Sequence, residues 1–251
     1  MKHVEPPNRR AFLSLAASLP CVQALLAVTP EWNYTDKGPQ QWPRLDPQFG
    51  VCSAGDQQSP IDLHDAIKSQ LPPVQIDWKT GEATVLNNGR TIQVNVPEGS
   101  TIQIGGVTSR LTQFHFHGPS EHAVNGKRFA MEAHFVHTQA NGDITVLAVF
   151  LTPGGQNALF STIMRAAPQK ADGKSTTRGD IDPAALLPRS RQNTWRYHGS
   201  LTTPPCSQTV DWVLFEEPVS VAQADIDRFH AIFAMNARPV QPLNRRFVLR
   251  S

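Results

Sequence analysis

The sequence has few cysteines, little net charge and no long apolar run beyond its N-terminus. Three cysteines occur in 251 residues, and 23 lysines and arginines nearly balance 21 aspartates and glutamates. A net charge of +2 without a long basic run does not indicate the basic surface that nucleic-acid binding requires. After the first 30 residues no stretch reaches ~18 uninterrupted apolar residues, which excludes a membrane-spanning helix there. A chain of this length buries a sizeable core without needing a disulfide or metal to fold.

Proline, in contrast, is abundant, with 21 copies. Because proline is excluded from the interiors of helices and central strands, we expect many turns and short elements. Helical spacing predicts two helices, at Asn157–Ala166 and from a cap at Ser220 through Phe233, with a loop at 169–179. Alternating or β-branched patterns predict six strands: Thr84–Leu86, Thr91–Val96, Leu111–His117, Arg128–Thr138, Ile144–Leu151 and Thr209–Phe215. No long linker or repeat follows residue 31, so the sequence predicts one mostly β domain with a few peripheral helices; an α+β assignment also fits.

Residues 1–30 have the pattern of an export signal. Asn8-Arg9-Arg10-Ala11-Phe12-Leu13 places twin arginines before an apolar run that Pro20 interrupts, which is typical of a bacterial twin-arginine leader. Val22-Gln23-Ala24 is a candidate cleavage site, and an uncleaved N-terminal anchor is the alternative. We therefore predict a leader at 1–30, a folded domain at 31–251, a periplasmic or secreted location, and no membrane contact once the leader is removed.

Two cysteines, Cys52 and Cys206, remain after a leader that contains Cys21. In an oxidising compartment an isolated pair tends to form a disulfide, and two buried thiols are the alternative. A bridge would close a loop of 154 positions (206 − 52), which stabilises by roughly 5 kcal/mol at most.

Three histidines form the most informative pattern in the chain. On a strand, alternation points His115 and His117 to one face. If Asn125-Gly126 is the centre of a tight hairpin, the residue numbers of each cross-strand pair add up to 251, and an uninterrupted ladder would place His134 opposite His117. The Gly118-Pro119 step interrupts this ladder, so the arithmetic predicts adjacency rather than one pairing. Three imidazoles that leave a fourth position free are a ligand set for catalytic zinc.

Metal-bound imidazoles need their second nitrogen held by a neighbouring group. Gln113 and Glu132 each precede a candidate ligand by two residues and share its strand face, so they are the predicted partners of His115 and His134. His137 points to the opposite face from His134, and we interpret it as a structural or surface residue.

Several longer motifs resemble the α-class carbonic anhydrases, from about Trp32 to Arg245. They are Trp32-Asn33-Tyr34, Gln58-Ser59-Pro60-Ile61, Gln113-Phe114-His115-Phe116-His117, Ser120-Glu121-His122, Glu132-Ala133-His134-Phe135-Val136-His137, the segment Tyr197-His198-Gly199-Ser200-Leu201-Thr202-Thr203-Pro204-Pro205-Cys206, and Arg238-Pro239-Val240-Gln241-Pro242-Leu243-Asn244-Arg245. The resemblance implies a single domain around a large twisted, mainly antiparallel sheet. It also implies zinc at the bottom of a conical cleft and a disulfide between Cys52 and Cys206.

The resemblance further implies a role for individual residues. The zinc ligands of the family match His115, His117 and His134. The pair that orients zinc-bound hydroxide matches Thr202 and Glu121. A buried pair behind the ligands matches His122 and Glu132. The carbon dioxide pocket corresponds to Val136, Val146, Leu201 and Trp212, and the bicarbonate position corresponds to Thr203. The residues that order water on the proton path correspond to Tyr34, Asn88 and Gln93. The activity it implies is reversible hydration of carbon dioxide by attack of that hydroxide, with inhibition by sulfonamides and anions and a monomeric or homodimeric state.

One position departs from the family pattern. Fast members have a proton-shuttling histidine directly after the Asn-Asn-Gly turn, whereas this chain has Arg90. Arginine stays protonated and cannot relay protons, so we expect slower proton export unless His198 or His64 substitutes.

Two other activities fit parts of the pattern. A non-catalytic carbonic anhydrase-related binding module is the principal alternative, and such proteins typically lose a ligand histidine. A zinc hydrolase acting on esters is the other.

Overall fold

A computed structural model describes Met1 and residues 30–251 of the chain. Residues 2–29, nearly all of the predicted leader, therefore lie outside the described residues. Among those that are described, no helix is both long and apolar enough to cross a membrane.

The elements are mostly short strands, as the proline content predicts. The helices are α1 (Trp42–Leu45), α2 (Val51–Ala54), α3 (Ala158–Ala166) and α4 (Gln223–Ile232), with 3₁₀ turns at Pro47–Phe49 and Pro183–Leu186. The strands are β1 (Asp62–Leu63), β2 (Ile67–Lys68), β3 (Gln75–Asp77), β4 (Thr84–Asn87), β5 (Ile92–Asn95), β6 (Thr101–Ile104), β7 (Val107–His117), β8 (Ala123–Val124), β9 (Lys127–Arg128), β10 (Met131–Thr138), β11 (Ile144–Pro153), β12 (Lys174–Thr176), β13 (Thr194–Gly199), β14 (Val210–Phe215), β15 (Val219–Val221) and β16 (Leu249–Arg250).

Most strands belong to one large sheet with the main order β12-β4-β5-β7-β10-β11-β14-β13-β16-β2. Its pairs are antiparallel except for β11 with β14, β11 with β15, and β16 with β2, which are parallel. The sheet is thus mixed but mainly antiparallel, and the predicted mostly β fold is confirmed.

The sheet is covered by apolar side chains on both faces. One cluster contains Phe114, Phe116 and Phe135 and is closed by residues of α3 and α4. The other contains Val146 and Trp212 and lies on the face that carries His134. Because strand side chains alternate, the aromatic residues of β7 fill the first cluster while the histidines between them face the second side.

Two local predictions need correction. Ser220 does not cap α4; it lies in β15, whose backbone pairs with the end of β11, and α4 begins after Ala222. The predicted loop 169–179 contains β12, an edge strand whose polar sequence carries little alternation.

An uninterrupted hairpin ladder would pair His117 with His134, but the register is shifted by two positions and His134 pairs with His115, so the histidines are adjacent as predicted. The hairpin does pair Ala123 with Arg128, a sum of 251, but the long strands pair His117 with Glu132, a sum of 249. Five residues, 118–122, separate the paired positions on one arm, against three, 129–131, on the other, and this difference shifts the register.

Candidate metal centre

The register of β5, β7, β10 and β11 brings the three histidines together. His115 pairs with His134 on one side and with Gln93 on the other, so these residues lie in one row across the sheet. His117 follows two positions along β7, on the same face. The ring centres of His115, His117 and His134 lie 4.6 to 5.3 Å apart.

One ring nitrogen from each histidine converges on a common point, with the three atoms within 4.8 Å of one another. The other nitrogen of each ring faces an acceptor. His115 Nδ1 lies 2.9 Å from Gln113 Oε1, and His134 Nε2 lies 2.8 Å from Glu132 Oε1. A proton on each of these nitrogens leaves a lone pair on the converging atom, which is what a metal ion requires.

The partner of His117 was not predicted. Its Nδ1 lies 2.7 Å from the backbone oxygen of Asn236, 119 positions further along the chain. The side chain of Asn236 donates to the carbonyls of Phe116 and Arg90 and accepts from the Gly118 N–H. A backbone acceptor so distant in sequence leaves no side-chain signal that could have identified it.

Glu132 anchors a fully buried network behind the ligands. Its Oε1 faces both His134 and His122 Nδ1 at 2.8 Å, and its Oε2 accepts from the His122 backbone N–H. His122 Nε2 lies 2.6 Å from the Tyr197 hydroxyl, which donates to Ser59. Burial alone would raise the pKa of Glu132, but His122 and His134 offset it and hold that pKa well below its usual value. The carboxylate therefore stays ionised.

Burial also determines the charge of the ligands. It lowers the pKa of His115 well below the ordinary value, with His117 and His134 contributing to the same effect. Burial likewise lowers the pKa of His117. Both imidazoles are thus neutral near pH 7, as metal binding needs.

Glu121 lies next to the cluster without being part of it. Its side chain is fully buried; Oε1 accepts from the Arg238 backbone N–H at 2.8 Å, and Oε2 lies 3.5 Å from His117 Nε2. Oε2 has no hydrogen-bond partner among the described residues. Thr202 is also buried, in the segment after β13, but it does not hydrogen-bond to this oxygen, so the predicted pair stays a prediction.

The residues predicted to form the carbon dioxide pocket pack together. Val136, Val146 and Trp212 occupy one row across β10, β11 and β14. Leu201 packs against the same apolar cluster, and the Trp212 ring lies 4.9 Å from that of His134. An apolar wall therefore adjoins the converging nitrogens.

A cleft of about 550 Å³ leads from the surface to His115 and His117. Five other predicted site residues line it: Tyr34, Asn88, Gln93, Gln113 and Thr203. The Asn88 amide donates to Gln93 Oε1 at 3.3 Å, which ties two of the predicted water-ordering residues together. Burial raises the pKa of the Tyr34 hydroxyl well above its usual value, so this group stays protonated.

Neither suggested substitute shuttle faces this cleft. His198 is exposed, contacts Asp211 and lines a different cavity of about 620 Å³. His64 lies beside Asp65 at the surface and does not line the cleft.

Comparisons with known proteins agree with one another. A family profile described as eukaryotic-type carbonic anhydrase matches residues 37–251. The chain is 39% identical over 240 residues to a carbonic anhydrase of Pectobacterium carotovorum (94% of this chain, 98% of that protein) and 42% identical over 221 residues to one of Neisseria gonorrhoeae (87% of each). The structure of an α-carbonic anhydrase from Thermovibrio ammonificans with the inhibitor sulfanilamide superposes with a TM-score of 0.86 at 42% identity, covering 88% of this chain and all of that one.

The chain belongs to the eukaryotic-type, or α-class, carbonic anhydrase family.

The donor set fits the zinc ion for which this family is known. His117 Nε2 is buried and has no hydrogen-bond partner among the described residues. An orphaned imidazole nitrogen in the interior is costly unless something ligates it. Three histidine nitrogens, each with its opposite nitrogen held, suit tetrahedral zinc with one open position. His115, His117 and His134 are the residues that would hold it.

The disulfide of this carbonic anhydrase chain forms as predicted, between Cys52 and Cys206. Its Cα atoms are 5.1 Å apart, and Trp42 packs beside it. The buried Arg238 guanidinium donates to the Cys52 carbonyl, and burial lowers the pKa of this guanidinium to about 10. The bridge therefore fastens the segment that carries Thr202 to the N-terminal part of the domain.

Proposed function

We propose that the chain catalyses the reversible hydration of carbon dioxide to bicarbonate and a proton, with zinc held by His115, His117 and His134. The observation that carries this proposal is the convergence of three imidazoles with held second nitrogens at the end of a cleft, in a chain of this family. Bound zinc lowers the pKa of a water ligand to about 7, a value characteristic of carbonic anhydrases in general, and so supplies hydroxide near neutral pH.

Thr202 and Glu121 are proposed to orient the nucleophile. A hydroxyl has one hydrogen to donate, and Glu121 Oε2 is a buried acceptor with no other partner among the described residues. Once Thr202 donates to it, the threonine oxygen can only accept. The nucleophile must then donate its hydrogen to Thr202 and direct a lone pair at the substrate.

The apolar wall is proposed to hold carbon dioxide beside the nucleophile. Val136, Val146, Leu201 and Trp212 offer no charged group, so a neutral, apolar molecule can enter there at little desolvation cost. Thr203 lines the cleft and is the proposed contact for bicarbonate. Bicarbonate carries a full charge, so it is poorly held by the wall and leaves toward the wider, polar part of the cleft.

Proton export is proposed to be slower than in fast members of the family. Arg90 occupies the shuttle position, and no histidine other than the candidate ligands lines the described cleft. Tyr34, Asn88 and Gln93 can order water there, but soluble buffer must take up the proton. We further propose that residues 1–30 direct export to the periplasm or medium, where the disulfide is stable.

The deciding experiment combines metal analysis with a carbon dioxide hydration assay, with and without a zinc chelator. We expect one zinc per chain, hydration abolished by chelation, and inhibition by an aromatic sulfonamide. His134→Ala should lose both zinc and activity, whereas His198→Ala, at an exposed histidine outside the cleft, should keep both. A metal-free, inert protein would instead indicate the binding module, and ester cleavage without hydration would indicate a hydrolase.

A further inference from the structure

Arg90 is held rigidly at the mouth of the cleft. Its guanidinium lies 4.0 Å from the centre of the Trp32 ring, and its Nε donates to the Trp32 carbonyl at 3.3 Å. Its backbone is fixed at both ends, since the N–H donates to Asn88 Oδ1 and the carbonyl accepts from Asn236. A cation–π stack together with these bonds fixes the direction of the guanidinium fork.

Trp32 is itself fixed from behind. Its ring makes edge-to-face contacts with Tyr34 and Trp42, at 5.8 and 5.2 Å between ring centres. Trp42 is completely buried and packs beside the disulfide. The support of Arg90 therefore reaches into the core, unlike that of an ordinary surface arginine.

Within the Arg90 guanidinium, Nε donates a hydrogen bond to the Trp32 carbonyl, whereas the two terminal nitrogens make no hydrogen bond to any described residue. Arg90 is also the one side chain with a full charge at neutral pH among the described residues lining the cleft. Arg90 also borders a second cavity, which is lined by the carboxylates of Glu31, Asp36 and Asp172, and Glu31 is paired with Lys37 at 2.9 Å. Within the cleft itself, no carboxylate among the described lining residues competes for the guanidinium.

We propose that Arg90 forms an anion subsite at the cleft mouth, which binds small planar oxyanions and captures bicarbonate on its way to and from the site. This inference rests on the proposed function for the identity of the anion. A guanidinium offers two parallel N–H donors that match the two oxygens of a carboxylate-like group. The stack on Trp32 reduces the entropy lost when the fork binds, because the fork is already ordered.

The subsite distinguishes the two directions of the reaction. Bicarbonate is negatively charged and should be attracted electrostatically to Arg90, whereas carbon dioxide is neutral and should not be. Arg90→Gln is therefore expected to raise the KM for bicarbonate in dehydration roughly two- to fivefold, the range expected for one partly exposed charge pair. The KM for carbon dioxide in hydration, measured at saturating buffer, should stay unchanged. Arg90→Lys keeps the charge without the fork and should be intermediate.

Arg110→Gln is the matched control, because Arg110 is exposed on β7 and does not line the cleft. It removes the same charge elsewhere and should leave both KM values at wild-type levels. An unchanged bicarbonate KM in Arg90→Gln, or an equal rise in Arg110→Gln, would overturn the proposal.

A second measurement does not depend on turnover. Formate, a small planar oxyanion, is titrated into the zinc-loaded protein while the Trp32 indole resonance is followed by NMR and assigned by its loss in Trp32→Phe. We expect a saturable shift in the wild type and none in Arg90→Gln. If the protein proves inactive toward carbon dioxide, the proposed function fails, but this titration still decides whether Arg90 binds oxyanions; no shift in the wild type would refute the subsite.

Discussion

Among single residues, the three candidate ligands differ in how their second nitrogens are held. Gln113 and Glu132 lie two positions before His115 and His134, so strand alternation alone predicted both contacts. The partner of His117 is a backbone carbonyl from a distant segment, and no residue type marks such a group in a sequence. At this scale the sequence predicts contacts between residues that are close along one strand. It does not predict contacts with segments that are distant in the chain.

Glu132→Gln should weaken zinc binding about 10- to 100-fold. Glu132 Oε1 accepts from two imidazoles, and an amide both removes the charge and places an N–H against one of them. Competition with a chromophoric chelator measures the dissociation constant. Glu98→Gln, at an exposed site, is the control, and equal zinc affinities in the two variants would contradict the role given to Glu132.

Arg90→His should make turnover less dependent on buffer. Histidine titrates near pH 6.5 and can carry protons from the cleft, which arginine cannot. Stopped-flow hydration is followed against the concentration of an imidazole-type buffer, with Arg110→His as the control. Wild-type turnover should rise with buffer, and that of Arg90→His should begin higher and rise less. A turnover number that responds neither to buffer nor to the substitution would be evidence against slow proton export.

His137 should make the fold less stable in acid. It is fully buried, stacks on Trp78 and has no partner for Nε2 among the described residues; burial lowers its pKa from 6.5 to about 4. The unfolded chain therefore binds more protons between pH 6.5 and 4, so stability is complete above pH 6.5 and falls as the pH drops through this window, by about 3 kcal/mol at most.

Denaturant unfolding at pH 7 and pH 4.5 measures this effect. His137→Phe keeps an aromatic ring in the stack and should reduce the loss of stability between the two pH values by about 2 kcal/mol. His64→Gln, at the surface, should not. An undiminished loss in His137→Phe would assign the acid sensitivity to other groups.

At the scale of secondary-structure elements, the strands that carry the site were predictable because their alternation is strong. β7 and β10 bury aromatic residues on one face and present histidines on the other, and both were expected within a few residues of their bounds. β12 escaped prediction because an exposed edge strand needs no apolar pattern. The pairing register could be predicted only as adjacency, because it depends on an irregular connection whose two arms differ in length.

The disulfide should stabilise the segment that carries Thr202. Cys206 lies four residues after Thr202, and the bridge closes a loop of 154 positions. Replacing both cysteines by serine should reduce the free energy of unfolding by as much as roughly 5 kcal/mol and lower kcat/KM as the segment loosens. Reductant should destabilise the wild type and leave the double variant unaffected; equal responses to reductant would contradict this prediction.

For the whole molecule, we expect a fold that does not depend on the metal. The ligands lie on two central strands that pair along most of their length, and apolar clusters cover both faces of the sheet. Fold class and candidate ligands could thus be predicted from sequence, since both follow from periodicity. The assembly of the cleft could not, because it joins segments far apart in the chain.

Chelation should consequently abolish hydration but leave the protein folded. Near-UV circular dichroism should be preserved, and the melting temperature should fall, because bound zinc stabilises by about 4 kcal/mol when its free concentration is a thousandfold above Kd. Restoring zinc should restore the melting temperature. Loss of the near-UV signal upon chelation would mean that the metal is required for folding.

The contact between His117 and Asn236 also bears on the order of events during synthesis. A ribosome has made the three ligand histidines by about the middle of the chain, but the carbonyl that aligns the His117 ring appears only 119 codons after His117. A nascent chain can therefore present the imidazoles without the geometry that selects for zinc. The ion should be incorporated only after translation has passed Asn236.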